Sequence, residues 1–107
     1  MLPSSSPFTA APELPGTPID PTMPLVTAAV EDLAERLGIE PDAVTVAAAQ
    51  AVTWPDGSLG CPEPGMMYTQ ALVDGTLVVL EAGGRRYEYH GGNPLVLCEH
   101  PKPPAGG

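Results

Sequence analysis

Between positions 54 and 70 the chain reads Trp54-Pro55-Asp56-Gly57-Ser58-Leu59-Gly60-Cys61-Pro62-Glu63-Pro64-Gly65-Met66-Met67-Tyr68-Thr69-Gln70. This stretch holds the sole tryptophan, one of the two cysteines, three prolines and three glycines. Proline fixes φ and removes a backbone donor, and glycine frees the backbone, so neither a helix nor a central strand can run through it. The regular elements must therefore lie on either side, with this segment as a stiff loop between them. The chain has 107 residues, enough for one domain. Its ends are rich in proline and glycine, which leaves roughly 75 residues to build a core, a size at which burial alone gives marginal stability and a covalent staple is often needed.

Formal net charge is -9. The fixed cations are Arg36, Arg85, Arg86 and Lys102. Phosphate backbones and anionic membrane surfaces are repelled by such a chain, so nucleic acid is excluded as a partner class. No apolar run approaches the ~20 residues of a membrane span, so no transmembrane segment is expected. The start of the chain has no basic segment followed by an apolar one, so a secretory signal is not expected within it.

Residues 1–24 carry Pro3, Pro7, Pro12, Pro15, Pro18, Pro21 and Pro24. Proline at this spacing biases each preceding residue to extended conformations, and the segment reads as a disordered tether. The domain is expected over 25–98, and 99–107 as a disordered Pro/Gly tail. Val26, Ala29, Val30, Leu33, Ala34 and Leu37 recur at helical spacing, with Glu31, Asp32, Glu35 and Arg36 between them. Thr27 is the expected N-cap, Asp32 falls near the positive end of the helix dipole, and Gly38-Ile39 has the form of a Schellman stop.

Pro41-Asp42 turns the chain into a strand over 43–54. The β-branched residues at both ends favour strand, and the run of alanines between them suggests a bulge. Val44, Val46, Val52 and Trp54 share one parity. After the loop, Tyr68–Val73 is read as a strand, Asp74-Gly75 as a two-residue hairpin turn, and Thr76–Ala82 as its partner. Gly83-Gly84 makes a second turn into Arg85–His90. That turn sets Leu80 opposite Tyr87, Val78 opposite Tyr89 and Glu81 opposite Arg86. Ala71, Val73, Val78, Leu80, Tyr87 and Tyr89 are thus expected to meet the helix. Leu95–Cys98 closes the sheet. The result is an α+β fold: one N-terminal helix on a four- or five-stranded, mainly antiparallel sheet, similar in general layout to cystatin-like and PepSY-like domains. The cystatin hairpin motif Gln-x-Val-x-Gly is not matched, because Gln70-Ala71-Leu72-Val73-Asp74-Gly75 has one residue too many.

Four readings of the loop follow from its residue types. A Cys61–Cys98 disulfide would tie it to the last strand, and closing so long a loop contributes about 4 kcal/mol in the chain-entropy account. Cys61, His90, Cys98 and His100 could instead form a small zinc site, although none of the paired spacings of zinc fingers is present except the tight Cys98-Glu99-His100. Cys61 with His90, or Ser58 with a histidine, could form a nucleophile–base pair, yet no helix start lies next to Cys61 to activate it and the domain is small for a catalytic cleft. Phosphate-loop and dinucleotide motifs are absent. A rigid loop also loses little entropy on docking, which suits a binding surface or a protease inhibitor.

From Leu37-Gly38-Ile39 to Cys98 the chain resembles a family of small bacterial proteins, many exported or lipid-anchored. The matching residues are Val52-Thr53 with the whole stretch from Trp54 to Gln70, then Tyr87-Glu88-Tyr89-His90 and the closing Cys98. The resemblance implies an extracytoplasmic setting and two structural cysteines, and no catalytic residue or cofactor. The resulting expectation is a non-enzymatic, monomeric exported module. It would bind a protein or cell-envelope component through residues 55–67, with Trp54, Pro55, Asp56, Gly57, Ser58, Leu59, Gly60, Pro62, Glu63, Pro64, Gly65, Met66 and Tyr68 as the binding set.

Overall fold

A computed structural model describes residues 16–92, 95–99 and 101. Among these residues it contains one α-helix, α1 (Pro24–Leu37), a 3-10 turn at Pro41–Ala43, and a sheet of β1 (Thr17–Pro18), β2 (Thr45–Trp54), β3 (Val73–Ala82), β4 (Arg85–Gly91) and β5 (Leu95–Cys98). The five strands lie in sequence order and pair antiparallel throughout. The expected α+β layout is therefore what forms.

The expected tether lies outside the described residues up to position 15, but residues 16–24 do not belong to it. Thr17 and Pro18 pair with Ala51 and Gln50 at the edge of β2, a place where a proline without an N–H is tolerated. Of the expected tail, only Glu99 and Pro101 are described. The helix starts at Pro24, three residues before the expected cap Thr27. Met23 is the extended N-cap residue, and its carbonyl accepts from the amides of Val26 and Thr27, both at 3.0 Å. Pro24 wins the first helical position because its φ is preset and no partner is needed for a missing N–H. The C-terminus follows expectation: Gly38 is left-handed at φ 69°, and Ile39 N–H donates to the Ala34 carbonyl at 3.0 Å. Val26, Ala29, Leu33 and Ala34 are buried against the sheet, while Leu37 is exposed.

With the helix starting at Pro24, Asp32 lies mid-helix, away from the dipole's positive end, and has another role. Its Oδ2 accepts from Tyr89 Oη at 2.7 Å and from Arg36 Nε at 2.6 Å, which links α1 to β4. The Tyr89 hydroxyl first, and then Arg36, holds the Asp32 carboxyl below its ordinary value of 3.8. Burial and then the bond to Asp32 push the Tyr89 phenol up, so it remains a donor. A carboxyl depressed in the folded state stabilises the fold above its unfolded value, and that contribution is lost as pH falls through the folded value. Acid unfolding below pH 3.8 is therefore expected to be steeper for the wild type than for Asp32→Asn. Melting temperatures measured down this pH range check it, and parallel curves for the two proteins would contradict it.

The bulge in β2 has a larger consequence than its expectation carried. Val46 pairs with Leu80 and Ala48 with Val79, so Ala47 is the extra residue. One inserted residue flips every later side chain to the other face. Val44 and Val46 therefore pack under the helix with Ala49, whereas Val52 and Trp54 point to the opposite side with Leu77 and Val79. The shared parity of the four large residues is real, but they serve two faces.

The segment Tyr68–Val73 is not a strand, and Asp74-Gly75 is not a turn. β3 runs straight through both residues, pairing Val73 with Trp54, Asp74 with Thr53 and Gly75 with Val52. Glycine is needed at 75 for close approach: a Cβ there would sit 2.7 Å from Trp54 Nε1 and 2.9 Å from the Gly91 carbonyl. Ala71 is consequently exposed and Val73 packs beside Trp54, so neither meets the helix. The remaining helix-facing expectations hold, with Val78, Leu80 and Tyr89 buried and Tyr87 packed against them. Gly83 and Gly84, at φ 59° and 80°, form the expected hairpin with the expected register, and Arg86 Nε meets Glu81 Oε2 at 2.9 Å.

Candidate functional site: a stapled loop over the second face

Because Trp54 and Val73 are directly paired, residues 55–72 leave the sheet and return to the same point. Such an excursion closes on itself and folds back over a surface. That surface is the sheet face opposite the helix. Trp54 is fully buried there, and its indole stacks on His90 with ring centroids 4.5 Å apart and planes at 24°. His90, on β4, is 2% exposed. Its Nδ1 lies 2.9 Å from the Leu59 carbonyl, which can only accept, so Nδ1 is the donor. Its Nε2 lies 2.7 Å from Glu88 Oε1. One histidine thus clamps the loop to the sheet.

The clamp explains the backbone at the loop's centre. Leu59 is left-handed at φ 57°, a conformation branched side chains rarely take, and Gly60 follows at 73°. The strain is tolerated because the Leu59 carbonyl is held by His90 while its side chain packs against the Trp54 cluster. Asp56 sets up the turn: its Oδ1 accepts from the Ser58 amide at 2.9 Å and the Ser58 hydroxyl at 2.6 Å. These bonds, the hydroxyl first, hold the Asp56 carboxyl below its ordinary value. Gly57 N–H donates to the Thr69 carbonyl at 2.8 Å, Cys61 N–H to the Ser58 carbonyl at 2.9 Å, and Glu63 N–H to Tyr68 Oη at 2.9 Å. A disulfide joins Cys61 to Cys98 on β5, with Cα atoms 5.6 Å apart.

The structure sorts the expected binding set into two groups. Trp54 and Gly60 are buried, and Asp56, Gly57, Ser58 and Leu59 are occupied with internal bonds and packing, so they build the loop rather than display it. Pro55, Glu63, Pro64, Gly65 and Met66 are exposed, with Pro62 and Tyr68 half-buried. Met67 is 94% exposed and Met66 58% exposed. Between the loop and the β4–β5 edge lies an open cleft of about 500 Å³, lined by Leu59, Met66, Tyr68 and Val96 with Glu63 at its side. Val96 and Leu72 are exposed large apolar residues that the sequence did not single out. Their alternation within short apolar runs is the same as that of core residues. His90 and Glu88 were also missed as loop supports, since only their distance in space from Leu59, not their spacing in sequence, reveals the clamp.

The zinc expectation fails on this geometry. The two sulfurs are bonded to each other, both nitrogens of His90 face oxygens, and no cluster of three or more metal-ligating side chains occurs among the described residues. His100 lies outside the described residues. Among the described residues the pairs with His90 do not assemble either: Cys61 has no thiol, and the Ser58 hydroxyl donates to Asp56 rather than to His90.

Fold and site together define a small α+β domain that carries a disulfide-stapled loop across the free face of its sheet. The chain belongs to the family described as Domain of unknown function (DUF8738), which matches residues 26–98, from the first buried helix residue to the second cysteine of the staple. No curated protein and no solved structure matches the chain.

Proposed function

We propose that the protein is a non-catalytic, exported binding module that acts as a monomer and engages a protein or cell-envelope component through residues 55–67. The observation that carries this reading is the exposure of Met66 and Met67 on a loop fixed by a disulfide, a histidine clamp and its own backbone bonds. Large apolar side chains held in water on a preorganised loop lose little entropy on docking, and methionine adapts to irregular partner surfaces. A disulfide in so small a domain suits an oxidising compartment. No helix among the described residues is long and apolar enough to cross a membrane.

The double variant Met66→Asp/Met67→Asp tests it. These side chains bury little, so the fold, followed by the near-ultraviolet signal of Trp54, should be retained. Capture of the partner from envelope extracts, quantified by mass spectrometry, is expected to fall by about ten-fold or more, the effect of losing ~1.4 kcal/mol of binding energy. Recovery of the same proteins in the same amounts by variant and wild type would contradict the reading.

A further inference from the structure

We infer that the cleft beside the loop receives an extended peptide segment in which an apolar side chain stands next to a lysine or arginine. This rests on the binding-module reading above and adds the chemistry of the partner. Three features converge on one edge of the molecule. Leu59, Met66, Tyr68 and Val96 give the cleft apolar walls, with Met66 and Val96 each 58% exposed. Glu63 forms its side and also lines a second depression of about 480 Å³, shared with Pro62, Pro64, Leu97 and Glu99. An apolar side chain seated against Met66 and Val96 therefore places its neighbour toward Glu63, the carboxylate common to both depressions.

Glu63 has no described cation in either depression, whereas Glu99 also lines a third depression with Arg85 and Arg86, so Glu63 is the carboxylate left open to a partner. Arg36 is bound to Asp32 on the helix, Arg86 to Glu81 at the Gly83-Gly84 end of the sheet, and Arg85 lies 5.9 Å over the Tyr87 ring. With a formal net charge of -9 on the whole chain, long-range attraction favours a basic partner and disfavours an acidic one or an anionic membrane. The third feature favours an extended peptide over a compact cation. Val96 and Leu97 belong to β5, which among the described strands pairs only with β4 and stands at the edge of the sheet. An edge strand offers main-chain bonding to an added strand, while alternate side chains fill flanking pockets.

The probe is an acetylated, amidated pentapeptide alternating lysine and leucine, added to the oxidised full chain labelled with ¹⁵N. Two control peptides replace every lysine by glutamate or every leucine by serine. The lysine–leucine peptide is expected to shift the amides of Glu63, Met66, Tyr68, Val96 and Glu99 in a saturable way. The glutamate peptide should leave them unmoved, and the serine peptide should bind about ten-fold more weakly for loss of its buried apolar area. Glu63→Gln should weaken the lysine–leucine peptide by about three-fold, as expected for one partly exposed charge contact. Equal binding of the glutamate peptide, shifts confined to α1, or no shift at millimolar peptide would each overturn the inference. If the cleft ignores the peptide while Met66→Asp/Met67→Asp still abolishes partner capture, the binding-module reading stands and only the chemistry assigned to its partner falls.

Discussion

Truncating Trp54 to alanine is expected to destabilise the fold by about 3–5 kcal/mol, the cost of removing a fully buried large aromatic side chain. Urea denaturation followed by far-ultraviolet circular dichroism measures it, and a loss below about 1 kcal/mol would contradict the account, being the cost of a single methylene rather than an anchor. The large value follows from what rests on the indole. Val52, Leu77 and Val79 pack with it on the sheet, Leu59 reaches it from the loop, and His90 stacks on it. Its Nε1 finds no acceptor among the described residues, so packing and stacking, not a hydrogen bond, hold the ring. Removing it also undoes the reason for glycine at 75 and leaves the His90–Leu59 clamp without its supporting face. The helix-facing cluster of Val26, Leu33, Val78 and Leu80 is untouched by this change. The loop is therefore expected to loosen more than the helix.

Replacing both cysteines, Cys61→Ala/Cys98→Ala, is expected to remove about 4 kcal/mol, from the chain entropy that the cross-link takes out of the unfolded state. The bridged residues are 37 positions apart, which places the loss near that value. Domains of this class hold only about 5–15 kcal/mol in all, so the variant should melt far earlier and populate unfolded chain at modest urea. The same shift should follow reduction of the wild type by dithiothreitol. Unchanged midpoints for the double variant, measured in the same urea titration, would mean that the sheet and clamp hold the loop without the staple.

Much of the fold is legible in the sequence because it is local. The Gly83-Gly84 hairpin fixes its own register, and Gly38-Ile39 ends the helix by a bond reaching back only to Ala34. The pairing of the cysteines follows from there being two of them. What is not legible depends on residues far apart. Ala47, Ala48, Ala49 and Ala51 are nearly alike, so nothing in the run tells which one bulges, and with it which face Trp54 takes. Asp74-Gly75 has the local chemistry of a turn, but β2 offers partners along its whole length. The glycine is then needed to admit an indole 21 positions earlier. Pairing along a ten-residue strand outweighs one turn signal. The same limit applies to the site. Trp54 reads both as an apolar residue at a strand end and as a member of the binding set, and is buried beneath the loop, while His90 reads as a ligand or base and holds a backbone carbonyl. Glu63 to Met67, where proline and glycine shape the chain locally, are exposed, as a displayed loop requires.

The central claim is that the loop is a fixed object, pinned at Cys61 and at Leu59 to the far face of the sheet. Amide hydrogen exchange of the oxidised chain, resolved by residue, tests this most directly. The amides of Gly57, Cys61 and Glu63, which donate to Thr69, Ser58 and Tyr68, are predicted to exchange at least about a hundred-fold more slowly than unstructured amides, and to lose that protection on reduction. Exchange of these three amides at unstructured rates in the oxidised protein, with β3 and β4 still protected, would contradict it.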